Sequence, residues 1–328
     1  MWTSGLQAPS RRGVLRLTAG LSLAARGAAA QGFPERPLRL IVPYPPGGGT
    51  DTVARLLAER LRPSLGQPVV VENRPGAAEV VGTEVALRAA PDGYTLGLIT
   101  NAACIHPAMG TRLPYDLQRD AAPVGLLVRI PHLLVVHPSV RANTVPELLA
   151  LSRSAQGRLS YSSLGPGSPH AVAMEWLKQL SGTDILHVPY LGVAAAVNAV
   201  LSGEVHMSLA GIINALPGIQ SGQLRAIGVS VAAGISTRPE WVPIGREVPG
   251  FDMASWFGLV VPAGVDPGIV AKLGGFVMDA VSSREMASPL AALGAEVAGG
   301  GSRDMLDLLR RETELWTRVV RTSRGRVE

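Results

Sequence analysis

The stretch Leu38-Arg39-Leu40-Ile41-Val42, then Pro43 to Gly49, then a helical run, sets the pattern the rest of the chain repeats. Entered through Pro37, the five residues predict a strand. Pro43 to Gly49 predict a turn. From about Thr52, Val53, Leu56, Leu57 and Leu61 fall on one face of a helix. Val69 to Val71 predict a second strand. Gly82 to Ala90 predict a helix, stopped by Pro91-Asp92-Gly93, and Tyr94 to Thr100 a third strand. This βαβαβ order implies a parallel sheet covered by helices on both faces.

A long extended run follows from Pro123 to His137, and then a second α/β set begins. Thr144 is placed to cap a helix that has Pro146 in its first turn. Strands are predicted at Leu159–Ser163, Ile185–Val188, Val205–Ala210 and Leu224–Val231, and helices at Ala171–Leu180 and Val193–Leu201. Trp256 to Val261 is another extended run. Helices close the chain at Pro267–Val281, Arg284–Leu293 and Asp304–Val320, the last with Ser302 as a cap. The two extended runs are placed to cross between two lobes. Lobe 1 takes residues 33–127 and 236–328, and lobe 2, residues 128–235, is inserted in it. A cleft between them is the default ligand site. The alternative on pattern alone is one doubly wound sheet.

The loop Tyr44-Pro45-Pro46-Gly47-Gly48-Gly49-Thr50-Asp51 carries the sharpest chemical signal. Glycines allow close backbone approach, and the first turn of a helix offers free N–H groups and a positive dipole end. Together they make a socket for a carboxylate or phosphate. Asp51 either caps the helix or contacts the ligand. A nucleotide loop needs Gly-Lys-Ser/Thr, absent here, and the dinucleotide fingerprint lacks its third glycine. Similar strand-to-helix loops recur at Thr100-Asn101-Ala102-Ala103, from Ser162 through Gly167, Ser168 and His170, and at Pro189-Tyr190-Leu191-Gly192. Open α/β sheets bind ligands at such strand ends. Almost no Lys or Arg sits in these loops, so an anion there is held by N–H groups and hydroxyls. Ser168 and His170 have no Gly-x-Ser-x-Gly elbow around them and no evident orienting acid, which weighs against a hydrolase. Ser168 is either a cap or a ligand hydroxyl, and His170 is either a ligand contact or structural.

Composition narrows the classes further. Aromatics are 4%, so the core is built from Ala, Val, Leu and Ile, with the Trp residues in it. The charge of +5 is concentrated at the N-terminus: residues 1–30 hold Arg11, Arg12, Arg16 and Arg26 and no acid, and without them 26 basic residues face 25 acidic. There is no basic stripe with interleaved aromatics, so nucleic acid is not an expected partner. Ser10-Arg11-Arg12-Gly13-Val14-Leu15-Arg16, a mildly apolar stretch to Ala25, and Ala28-Ala29-Ala30 read as a twin-arginine export signal, cleaved after Ala30. The alternative is a disordered basic leader. The lone Cys104 excludes an intramolecular disulfide and paired-Cys metal sites, and the six His form no HExxH. No metal or cofactor is expected.

Seven segments in register resemble the Bug family, the extracytoplasmic receptors of tripartite tricarboxylate transporters. They include Pro37-Leu38-Arg39-Leu40-Ile41-Val42-Pro43, the Pro-Pro-Gly-Gly-Gly-Thr-Asp loop, Val69 through Glu72-Asn73-Arg74-Pro75-Gly76-Ala77, and Ala90-Pro91-Asp92-Gly93-Tyr94-Thr95-Leu96. Leu113-Pro114-Tyr115-Asp116, His187-Val188-Pro189-Tyr190 and Trp256-Phe257-Gly258-Leu259 complete the set. The resemblance implies a two-lobed, type II-like periplasmic binding protein fold, a carboxylate ligand, membrane transporter subunits as partners, a monomer and no enzymatic activity. Carried over, the ligand positions are Gly47, Gly48, Thr50, Asp51, Asn101, Ser162, Ser168 and His170; Tyr44, Gly49, Gly167 and Tyr190 belong to the same loops. The sequence departs from the family at Ala78-Glu79-Val80-Val81, Leu191, Ala102-Ala103 and Ala210-Gly211, losing polar partners. A site with fewer polar groups reads a ligand with fewer of them. The expectation is a more apolar monocarboxylate, aromatic or branched, rather than citrate or aspartate. A sensor presenting its bound state to a signalling partner shares this sequence pattern.

Overall fold

In the computed structural model, Leu38–Val42 is β1, an inner strand flanked by parallel neighbours on both sides. Residues 32–154, 159–235, 238–292 and 294–323 are described. The expected export signal over 1–30, and the predicted helix end at Leu293, lie outside them. Leu38, Leu40, Ile41 and Val42 are all buried, as a strand covered on both faces requires.

From β1 the chain runs through α1 (Gly49–Leu65), β2 (Val69–Asn73), α2 (Val80–Leu87), β3 (Thr95–Thr100), α3 (Ala102–Ala108) and a one-turn α4 (Leu117–Asp120). Then come β4 (Ala121–Val136), α5 (Val145–Arg153), β5 (Ser160–Ser163), α6 (Pro169–Ser181), β6 (Leu186–Pro189), α7 (Val193–Leu201), β7 (Met207–Gly211), α8 (Ile212–Gln220) and β8 (Arg225–Val229). A short 3-10 turn precedes β9 (Ala254–Pro262), α9 (Pro267–Val281), α10 (Arg284–Ala292), β10 (Glu296–Gly301) and α11 (Ser302–Ser323).

The strands join in the order β2-β1-β3-β9-β4-β7-β5-β6, with β8 and β10 also paired to β4. The extended runs expected at 123–137 and 256–261 are β4 and β9. From Ala121 to Pro131, β4 is antiparallel to β9, and part of that stretch also pairs with β10. From His132 to Val136 its partners are β7 and β8. Proline has no N–H for a ladder and sits in strands where pairing breaks. Pro123 adjoins a register shift, and Pro131 stands where β4 exchanges one set of partners for the other.

Three apolar layers hold the two halves of the sheet. On the first half, Leu57 and Leu61 of α1 pack with Leu273 and Val277 of α9 over Leu40 and Leu98. On the second, Val197 and Val200 of α7 and Ala215 of α8 cover Leu133 and Val135. The third layer spans both: Ile105 of α3, Trp176 and Leu177 of α6, and Leu309, Trp316 and Val319 of α11. Trp176 meets Trp316 edge-on at 5.8 Å and Phe251 at 5.2 Å. Residues 238–253, counted with lobe 1 in the sequence reading, pack on the second half: Trp241 lies with Val229, and Ile244 and Phe251 lie with Val145 and Ile227.

Thr144 does cap α5, its hydroxyl accepting the Glu147 N–H, with Pro146 in the first turn. Ser302 does not cap α11 from outside, because β10 runs directly into the helix. The Gly301 N–H is instead taken by the Asp304 carboxylate at 2.9 Å.

Candidate functional site

The carboxyl end of β1 leads through an exposed turn into α1. Gly47 has φ +88°, a left-handed conformation that suits glycine. Asp51, in the first turn of α1 and buried, reaches back into this turn. Its Oδ2 accepts the Gly47 N–H and the Arg55 Nε–H, each at 2.9 Å, and its Oδ1 accepts from Asn73 Nδ2 at 2.9 Å. Asn73 also donates to the Tyr44 carbonyl. The hydrogen bond from Arg55 leads in holding the Asp51 carboxyl at a pKa of about 2, with Gly47 and Asn73 adding to it against the cost of burial. Asp51 thus braces the turn from within, and its known bonds are spent there rather than on capping.

The helix end that this brace holds up has no side-chain cap. Gly48 is the N-cap, in ordinary extended conformation at φ −81° and ψ 171°. Thr52 donates both its N–H and its hydroxyl to the Gly48 carbonyl. Helix geometry leaves the N–H groups of Gly49, Thr50 and Asp51 without an intrahelical acceptor. A Cβ at Gly49 would meet nothing within 4 Å, and one at Gly48 only the Pro45 carbonyl at 4.0 Å. These two glycines do not serve packing; they keep the approach to the helix end clear. The result is an open socket of N–H groups at the positive end of a 17-residue helix.

Beside it stands a residue that the sequence reading marked only as a departure. Ala77, Ala78 and Glu79 take φ of 45°, 48° and 91° in succession. Non-glycine residues in that region cost about 1–3 kcal/mol each, and such strain gathers at functional sites. The Glu79 side chain is fully buried. Its Oε1 accepts the Thr100 N–H at 3.0 Å, and its Oε2 accepts the Thr100 hydroxyl at 2.5 Å and the Tyr44 hydroxyl at 3.0 Å. Burial pushes its pKa up to about 7 although these bonds pull it down. Burial, and then the charge on Glu79, raise the Tyr44 phenol well above its ordinary value. Tyr44 is therefore locked to the end of β3 and does not swing freely over the socket.

The other predicted positions separate into two groups. Asn101 is fully buried: Oδ1 accepts the Trp256 N–H, and Nδ2 donates to the Ala254 carbonyl and Glu312. Ser162 donates its hydroxyl to the Ala196 carbonyl within the core. Both are committed to internal bonds. Gly167, Ser168, His170 and Tyr190 lie at the carboxyl ends of β5 and β6. A Cβ on Gly167 would come within 3.7 Å of Met109 after α3, so this loop faces the first half of the sheet. Ser168 caps α6, accepting the Ala171 N–H at 3.2 Å. His170 lies edge-on to His132, with ring centroids 4.7 Å apart. Tyr190 donates to Glu204 at 2.9 Å. Ser163, not singled out from sequence, holds the turn through Gly165 N–H and His187 Nε2.

Leu191 is 101% exposed, and Val193 and Ile213 are exposed beside the ends of β6 and β7. These strand ends offer apolar surface where β1 offers N–H groups. Arg55, one turn into α1, is engaged by Asp51 and Asn73. Among the described residues no group of His, Cys, Asp or Glu is arranged to hold a metal ion. Cys104 is buried, and burial pushes its thiol far up, away from nucleophilic use.

Comparison with known proteins bears on the family and the fold. Residues 53–324 match the family described as the tripartite tricarboxylate transporter family receptor. Protein BugT of Bordetella pertussis is 32% identical over 320 residues, covering 96% of this chain and 97% of that protein. Among solved structures, Rpa4515 of R. palustris with adipate is 30% identical with a TM-score of 0.77, covering 89% of this chain and 98% of that one. MatC from Rhodopseudomonas palustris with bound malate is 31% identical with a TM-score of 0.74, covering 88% and 100%.

Proposed function

The chain belongs to the tripartite tricarboxylate transporter receptor family, and from that premise we propose that it captures a small organic carboxylate between two lobes and passes it to integral-membrane transporter subunits. The observation that carries this reading is the uncapped, glycine-cleared N-terminus of α1, braced by Asp51. A carboxylate there takes N–H groups that have no other acceptor, without a buried cation to desolvate when the site is empty. Gly49, Thr50 and Asp51 supply the N–H groups, Gly47 and Gly48 the open turn before them, and Tyr44 and the Asp51 side chain fix its shape. Gly167, Ser168, His170 and Tyr190 close from the opposite side. Asn101 and Ser162 act through the framework rather than by touching ligand.

The related proteins that hold adipate and malate support a carboxylate as the ligand class. Exposed Leu191, Val193 and Ile213 favour an acid with an apolar body. Contacts to both lobes give the ligand a differential affinity for the closed form, which is what closure requires. The lobes are 33–127 with 254–323, and 128–253, because residues 238–253 pack on the second half. The protein works as a non-catalytic monomer in the periplasm, delivered there by the leader over residues 1–30. No described helix is long and apolar enough to cross a membrane, consistent with separate transporter subunits.

A thermal-shift screen against organic acids and their amides tests this. A ligand that binds only the folded form adds about 2.7 kcal/mol at a hundredfold excess over Kd. The expected result is a raised midpoint with one class of acid and none with its amide. An equal shift with acid and amide would show that the carboxylate is not what the site reads.

A further inference from the structure

Two imidazoles meet where β4 changes partners. His132 opposes Gly211 at the first β7 pair, and His170 is the second residue of α6. The rings lie 4.7 Å apart, edge to face. His132 is 3% exposed; its backbone N–H donates to Ser230 Oγ, and its Nε2 is 2.8 Å from Ser255 Oγ. Its Nδ1 is buried without a partner, and so is the Nδ1 of His170. Buried polar atoms are almost always satisfied, and leaving one unpaired costs the full desolvation of that group. Two such atoms side by side, one of them on the helix end that faces the candidate cleft, point to a partner that comes and goes. His170 is only partly buried, which leaves the pair a route to the cleft.

The surroundings are uncharged. Ser255 of β9, Ser230 after β8 and His170 of α6 face His132. Ser168 at the start of α6 is occupied with the Ala171 N–H. Glu312 of α11 accepts from Asn101 and Trp316. Burial, and then the neighbouring His170, hold His132 well below the usual imidazole range, and burial holds His170 down at about 4. Both rings are therefore neutral around pH 7. With the proton on Nδ1, His132 accepts from the Ser255 hydroxyl through Nε2 and presents an N–H donor.

We propose that His132 and His170 form a neutral donor pair within the binding site, their Nδ1–H groups taking an oxygen of the bound acid, and that binding draws a proton from solvent. This rests on the carboxylate-receptor reading above. An anion beside an imidazole favours the charged ring. Empty, the pair stays neutral down to low pH; occupied, it protonates more readily. Between those limits binding takes up protons, so affinity rises as pH falls from 7 toward 5.5.

The test is calorimetric titration of the full chain with benzoate, adipate and malate, at pH 7 and 5.5, in two buffers of different ionisation enthalpy. The expected result is net proton uptake at pH 5.5 with whichever acid binds. His170→Phe should weaken that acid about ten- to hundredfold, as loss of a hydrogen bond to a charged group does. The His132→Asn/His170→Asn double variant keeps N–H donors near the Nδ1 positions and should keep most of the affinity while losing the uptake, and it decides the matter if His170→Phe does not fold. Unchanged affinity in His170→Phe, or uptake that persists in the double variant, overturns the pair alone. No binding of any of the three acids overturns the receptor reading and the pair together.

Discussion

Replacing Asp51 by Asn removes a charge and leaves the shape, so its effect isolates what the ionised brace contributes. In the folded chain the Asp51 carboxyl sits at about 2 against an ordinary 3.8. At about 1.4 kcal/mol per unit that is roughly 2.4 kcal/mol. Arg55, the leading partner, is half exposed and screened by solvent, so the contribution is nearer about 1–2 kcal/mol. The sign follows from linkage. The folded pKa is depressed, so the stabilisation is present above the unfolded value near 4 and is lost as pH falls toward 2. Thermal unfolding of wild type and Asp51→Asn from pH 7 to pH 2.5 measures it. At pH 7 the variant should melt roughly 2–5 °C lower, and the gap should shrink steadily below pH 4. A gap that stays constant down to pH 2.5 would refute the reasoning, because the loss would then not come from the charge. Equal midpoints at pH 7 would refute it more directly.

Gly48→Val should cost about 1 kcal/mol of stability in denaturant titration, because Val is a poor N-cap although the φ of −81° there is ordinary and the space beyond it is open, and it should abolish the shift given by acids. Lys178→Met should destabilise the fold by about 3–5 kcal/mol in denaturant titration, because it leaves buried Glu175 without the ammonium 2.7 Å away; adding Glu175→Gln should recover much of the loss. Glu79→Gln should flatten a second pH window. The wild-type carboxyl is raised to about 7, so its folded form holds a proton that the unfolded chain gives up near 4.5; stability is full below 4.5 and declines as pH rises toward 7, and the Gln variant should lack that decline.

The elements that were legible in the sequence are those whose signal is local. β1, the glycine turn and α1 follow from a short apolar run, three glycines and a 3.6-residue period within 28 residues, Leu38 to Leu65. β10 was not legible, because Glu-Val-Ala-Gly-Gly-Gly has neither β-branched density nor alternation; pairing to β4 makes it a strand. α8 was hidden by Pro217 and Gly218 inside it. The site divides in the same way. The open N-terminus of α1 could be foreseen from composition, but the commitments of Asn101 could not: its partners Ala254 and Glu312 lie 153 and 211 residues away. Nor does any local pattern bring His132 to His170 or show that Glu79 would be driven into a left-handed backbone. The one available hint was that Ala78-Glu79-Val80-Val81 departs from the family pattern it resembles.

These placements make the two sides of the site chemically unequal, and the inequality suits a receptor that must let go. The first half of the sheet offers N–H groups fixed by Asp51, with the Arg55 guanidinium already spent on it. The second half offers Leu191, Val193 and Ile213. A permanent cation buried against a carboxylate would have to be desolvated on binding and left exposed on release, and its balance would depend on salt. Neutral donors avoid both. They read the ligand by geometry, and the apolar strand ends add affinity in proportion to area rather than charge. Losing polar side chains at Ala102, Leu191 and Gly211 therefore does not leave an unfinished site. On the proposed reading it moves discrimination from counting polar groups to measuring the apolar body between an anchored carboxylate and the opposite lobe, so affinity across a series of acids should climb with chain length until the body no longer fits.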